Sequence, residues 1–177
     1  MRSAPLLFAA SIGLALTATA GAQQSPRHAD ALARERYFVD FRARTGGILG
    51  HTFIVYGRMD ARGRVLEQRH AGLYPDDAWS DSPLLSVAVV PGYISLKRED
   101  PRKPQVASYR RMLTGDEYAR LRGTVHRLQA SQPRWNMVFY NCNDFAAQVA
   151  RDVGLVAPLP WSMPGHFVQS LEAMNGR

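Results

Sequence analysis

The 177-residue chain has one cysteine, Cys142, and only two lysines, Lys97 and Lys103. A lone cysteine excludes a disulfide framework within the chain and any Cys-x-x-Cys metal or redox motif. Glycine (14) and proline (11) are at ordinary levels, which excludes collagen-like and low-complexity chains. There is no internal repeat and no long block of like charge, so neither a solenoid nor a polyelectrolyte tail is expected. Beyond Ala20 no run is apolar enough to span a bilayer. Metal-binding patterns are also missing. The close groupings His51/Asp60 and His70/Asp76/Asp77 lack the i, i+4 helical spacing of a metal motif, and Thr45-Gly46-Gly47 lacks the lysine and helix of a phosphate loop. No metal and no cofactor are therefore expected. What remains, 46% hydrophobic and 21% charged residues, is the composition of a globular chain long enough for one domain.

The first 22 residues read as an export signal. Met1-Arg2 gives a positive start, Leu6 to Ala20 is apolar apart from Ser11, Thr17 and Thr19, and Ala20-Gly21-Ala22 has the small-x-small form of a cleavage site. The product is expected to be periplasmic or secreted, with a polar lead-in over 23–36 and one domain over 37–177. The formal net charge is +7, carried by arginines scattered along the chain. Such scatter fits simple solubility or attraction to an anionic envelope surface. Nucleic acid is not expected as a partner, because no aromatic-basic recognition motif is present.

Hydrophobic spacing organises the rest. Tyr37, Val39 and Phe41 alternate as a first strand, ended by Thr45-Gly46-Gly47. Gly50 to Gly57 is rich in β-branched and aromatic residues, and with Val65 to His70 it forms a predicted hairpin about the polar turn Asp60-Ala61-Arg62-Gly63. Leu73 to Pro83 reads as a loop whose Tyr74 and Trp79 form a substrate rim or an anchor on the core. Leu84 to Val90 and Tyr93 to Lys97 read as strands about a Pro91-Gly92 turn, and Arg98 to Pro104 reads as exposed. Thr114 and Glu117 make a capping box ahead of a helix over Gly115 to Ala130. Trp135 to Tyr140 reads as a strand leading into Asn141-Cys142-Asn143-Asp144. A helical stripe of Phe145, Ala146, Val149, Ala150 and Val153 follows and stops at Gly154, and a closing helix spans Pro164 to Met174. Hairpins, helix, strand and helix in that order predict an α+β domain.

Cys142 sits at a predicted helix start, where unpaired backbone N–H groups and the helix dipole favour a thiolate and lower its pKa. The alternative is a buried, inert thiol. A thiolate nucleophile needs an imidazole within reach. Of His28, His51, His70, His126 and His166, His51 is the favoured base, because it opens the strongest strand directly after Gly50. Strand parity bears on a third group. A two- or four-residue loop puts His70 on the face of His51, whereas a three- or five-residue loop puts Glu67 there. The four-residue turn favours His70, with Glu67 in reserve. Tyr140 and Asn143 flank the thiol and are candidates for binding an oxyanion or substrate, or else they end the strand and cap the helix.

Gly50-His51 opening an apolar strand, a hairpin followed by Ala71-Gly72, and Asn141-Cys142 opening a helix resemble the circularly permuted branch of the NlpC-type papain-like superfamily. The histidine-before-cysteine order is similar to that of lecithin:retinol acyltransferase-like proteins. The resemblance spans roughly Tyr37 to Gly154. It implies a papain-like domain with an antiparallel sheet packed on the cysteine-bearing helix. It also implies a thiol hydrolase or acyltransferase of peptidase or amidase type, acting through a thioester on cell-envelope peptide or acyl substrates. Cys142 would be the nucleophile, His51 the base, and a polar residue on the next strand the third member. A non-catalytic envelope-binding module with a buried cysteine is the competing expectation.

Overall fold

A computed structural model of the chain describes residues 36–46, 49–80, 82–99 and 102–176. The expected export signal, nearly all of the expected lead-in and His28 lie outside the described residues. The architecture is mixed α and β. Six strands, β1 (Arg36–Arg44), β2 (His51–Met59), β3 (Val65–Pro75), β4 (Val90–Ser95), β5 (Gln105–Leu113) and β6 (Arg134–Trp135), form one sheet. Its order is β5-β1-β2-β3-β4-β6, and every pairing is antiparallel. Among the described residues three α-helices, α1 (Gly115–Ala130), α2 (Cys142–Asp152) and α3 (Pro164–Asn175), accompany the sheet.

Alternation along the strands decides which face the helices cover. Val39, Phe41 and Ala43 of β1, Ile54 and Tyr56 of β2, and Ala71 and Leu73 of β3 share one core with all three helices. Leu121, Phe145 and Phe167 bring the helical faces into it and are 0% exposed, each such burial contributing about 1.5–3 kcal/mol. The intervening residues Phe38, Phe53, Val55 and Met59 make a second, smaller cluster. The α1 capping box forms as the sequence predicts, with the Thr114 side chain accepting from Glu117 N–H and the Glu117 carboxylate accepting from Thr114 N–H.

Three local expectations are corrected. Pro91-Gly92 is not a turn. It lies inside β4, where Pro91 is exposed and pairs with Arg134 on the short outer strand, a setting that tolerates a residue without an N–H. The segment before it is irregular, with a 3₁₀ turn at Pro83–Ser86. Only Arg134–Trp135 of the segment 135–140 and its neighbour is strand, because an Asn136–Tyr140 bridge closes a tight turn there. The segment 105–113, for which the spacing gives no expectation, forms an edge strand on β1.

The hairpin between β2 and β3 reaches the expected parity by another route. Met59 pairs with Val65, leaving five residues in the loop, but a register shift beside Met59 brings Arg58 opposite Glu67 and Val55 opposite His70. The bulge restores the odd sum, so His70 lies on the His51 face of the sheet.

Candidate active site

The α2 N-terminus is built by its own side chains. Asn141 caps it, accepting from Asn143 N–H at 2.8 Å, while Asp144 Oδ2 accepts from Asn141 N–H at 2.9 Å. The Asn141 amide also donates to the Met137 carbonyl at 2.8 Å, which fixes the approach of the preceding turn. These bonds leave Cys142 as the first helical residue, half-buried against the start of β2. The sulfur is faced by the backbone N–H groups of Thr52, Asn143 and Cys142 itself and by the Thr52 hydroxyl. The N–H groups favour a thiolate, yet burial outweighs them and pushes the thiol pKa up from its ordinary value. The expected lowering at the helix start is thereby corrected, because desolvation exceeds what the helix N-terminus supplies.

His51 is the first residue of β2 and is buried. It follows Gly50, whose φ of 85° lies in the left-handed region and where a Cβ would stand 2.6 Å from the Arg44 carbonyl oxygen. That turn is what brings β2 back beside β1, with His51 opposite Arg44. Burial, reinforced by the positive charges of Arg44 and Lys103, lowers the His51 pKa to about 3. At neutral pH both the thiol and the imidazole are therefore uncharged. The Nε2 atom is buried without a hydrogen bond. It lies 3.9 Å from Glu99 Oε1 and so close to Gly72 that a Cβ there would be 2.8 Å away.

Cys142 and His51 border one cavity of about 770 Å³. Its walls are largely apolar, with Leu73, Trp135, Met137, Val138, Trp161 and Met163 among the lining residues, and with Arg44 and Lys103 as its cations. Trp161 is 77% exposed, so the cavity opens to solvent past an aromatic edge.

The remaining sequence candidates are placed as follows. Asn143 borders the cavity, but its side chain is fully engaged. It accepts from the Thr52 hydroxyl at 2.6 Å and donates to the carbonyls of Pro160 at 3.0 Å and Ser162 at 2.7 Å. It is a structural tie between β2, α2 and the 160–162 segment, and its amide has no donor left for an oxyanion. Tyr140 packs on the core and its hydroxyl meets Gln148 at 3.4 Å, away from the cavity lining. His70 is buried and shares the face of His51, but the Phe53 ring stacks with both, 6.1 Å from His51 and 6.4 Å from His70, and separates them. His70 instead meets the Gln68 side chain at 3.0 Å. Glu67 binds Arg58 at 3.0 Å and Arg69 at 2.7 Å toward the turn end of the hairpin. His126 on α1 and His166 on α3 are exposed. Trp79 packs on the core, whereas Tyr74 borders the cavity.

The polar group that does meet His51 was not a sequence candidate. Glu99 accepts from Arg44 Nε and from the Tyr74 hydroxyl, and the Tyr74 ring centroid is 4.1 Å from that of His51. Burial is the largest single influence and opposes the Arg44 charge, but the hydrogen bonds and charge interactions with Glu99 and Tyr74 together outweigh it and raise the guanidinium pKa. Burial and the adjacent carboxylate likewise hold Tyr74 protonated. Among the described residues no cluster of three or more His, Cys, Asp or Glu is arranged to hold a metal ion, and no helix is long and apolar enough to cross a membrane. A scan against protein-family models and searches of curated proteins and of solved structures find no match to this chain.

Proposed function

We propose that the chain is an exported cysteine-dependent hydrolase or acyltransferase of papain-like, permuted NlpC type. The observation that carries this reading is the shared cavity of Cys142 and His51, with the thiol on a capped helix start and the imidazole on the adjoining strand start. His51 Nε2 lies near Gly72 and Glu99, and the proposed reaction assigns the other ring nitrogen, Nδ1, to the thiol across the shared cavity. In the reaction, Nδ1 takes the Cys142 proton as sulfur attacks the substrate carbonyl carbon, forming a tetrahedral oxyanion. The Thr52 and Cys142 N–H groups beside the sulfur are the donors proposed for this oxyanion, since the Asn143 N–H already donates to Asn141. Collapse to a thioester expels the leaving group, protonated by the imidazolium, and water or an acceptor nucleophile then releases the acyl group.

A neutral thiol that shares its cavity with a neutral imidazole supports general-base activation during attack and argues against a resting ion pair. The apolar walls suit an acyl chain or apolar peptide side chains, and Arg44 and Lys103 suit an anionic group on the same substrate, such as an envelope component. The raised thiol pKa favours one second reading, an envelope-binding module in which Cys142 is inert. Iodoacetamide alkylation of Cys142, followed by intact mass between pH 5 and 9, separates the two. The catalytic reading predicts at least tenfold faster alkylation at pH 7 in the native protein than in His51→Ala, a conservative share of general-base effects of roughly 10²–10⁴. Equal rates would leave the binding module as the better account.

A further inference from the structure

We propose that Glu99, clamped by Arg44 and Tyr74, is a positioning residue that holds the ring proton of His51 on Nε2 and so keeps the Nδ1 lone pair for the Cys142 thiol. The inference rests on the reading of His51 as the base. A neutral imidazole carries one proton, and the nitrogen that holds it is decided by what each nitrogen meets. His51 is neutral at physiological pH, because burial and the cations Arg44 and Lys103 disfavour its protonation. Its Nε2 has no hydrogen bond and lies 3.9 Å from a carboxylate oxygen of Glu99, about 1 Å beyond hydrogen-bond length. A carboxylate only accepts, so it stabilises an N–H aimed at it and repels a lone pair.

The carboxylate is held in place from two sides. Arg44 Nε donates to Oε2 and the Tyr74 hydroxyl donates to Oε1. Tyr74 serves twice, since its ring also packs on the imidazole at 4.1 Å. Gly72 makes the arrangement sterically feasible, because any side chain there would occupy the place of Nε2. The other candidate for this task, His70, stands on the far side of the Phe53 ring.

The test is long-range ¹H–¹⁵N correlation NMR of ¹⁵N-histidine-labelled protein at pH 7, which reports the tautomer of each imidazole. The native protein is expected to show His51 as the Nε2–H form alone. Glu99→Gln, which keeps the shape of the side chain, is expected to convert it to a mixture containing substantial Nδ1–H form, with the signals of the exposed His126 and His166 unchanged as a check on folding. Tyr74→Phe, which leaves the carboxylate but removes one tether, is expected to give a smaller shift in the same direction, and it decides the matter should Glu99→Gln fail to fold. A native His51 in the Nδ1–H form, or an Nε2–H form unaltered by either substitution, would overturn the proposal. The tautomer is read without substrate, so an inert Cys142 would refute the catalytic reading and leave this result standing, and the converse also holds.

Discussion

The Thr52 hydroxyl donates to Asn143 Oδ1 at 2.6 Å, and both residues are buried. Thr52 adjoins His51 and Asn143 adjoins Cys142, so this bond ties the strand of the candidate base to the helix of the candidate nucleophile. Ninety-one residues of sequence separate the two partners, which makes the bond a product of the tertiary fold alone.

Asn143→Ala should therefore destabilise the protein as a whole. It strands the Thr52 hydroxyl and the carbonyls of Pro160 and Ser162, and each unsatisfied buried group costs about 1–3 kcal/mol where water does not replace the partner. Urea unfolding is expected to show a loss of roughly 2–4 kcal/mol, and a loss below about 0.5 kcal/mol would show that the tie is dispensable.

The buried imidazole gives acid sensitivity of defined sign. The folded value of about 3 for His51 lies below the ordinary 6.5, so the unfolded chain binds this proton more readily. The associated stability is fully present above pH 6.5 and is lost as pH falls toward 3. Between pH 7 and pH 4 the native protein should lose on the order of 3 kcal/mol more than His51→Gln. His70, also lowered by burial, is retained in both and cancels in the comparison. Equal losses in the two proteins would mean that His51 titrates normally.

Cys142 should titrate in the opposite sense. Burial raises its pKa above the ordinary 9.0, so thiolate absorbance near 240 nm, taken as the difference from Cys142→Ala so that the seven tyrosines cancel, should rise with a midpoint above that value in the native protein and nearer to it in urea. The native state then loses stability as pH climbs through the folded midpoint. A native midpoint below neutrality would show a resting ion pair instead.

Gly72→Ala tests the packing under His51. The new Cβ would stand 2.8 Å from His51 Nε2, 3.2 Å from Tyr74 Cε2 and 3.3 Å from Phe53 Cβ, so the ring must shift. The expected outcome is a folded protein whose Cys142 alkylates at pH 7 as slowly as in His51→Ala, and a native rate would place the ring elsewhere.

How far the sequence led depends on whether a feature is local. The β2–β3 hairpin, α1 with its Thr114–Glu117 box and the Asn141–Cys142 helix start are written in spacing and caps over a few residues, and all three form. β5 was hidden because an edge strand buries little: only Tyr109 and Leu113 of Gln105–Leu113 are buried. The Pro91-Gly92 pair misled because its turn preference yields to pairing with β3 and β6. Parity placed His70 on the correct face but had no means of placing the Phe53 ring in between. Glu99 was read as part of an exposed charged stretch, and its role follows only from the approach of Arg44, 55 residues away in sequence.

The most direct test of the account is covalent capture of the acyl group. Purified protein is mixed with p-nitrophenyl esters of increasing acyl length at pH 7, quenched in acid within seconds to minutes, and weighed by intact mass spectrometry with peptide mapping. One acyl group should appear on Cys142 in the native protein, be absent from Cys142→Ala and form at least tenfold more slowly in His51→Ala. No adduct at any chain length, or equal acylation with and without His51, would contradict the assignment of Cys142 and His51 as nucleophile and base.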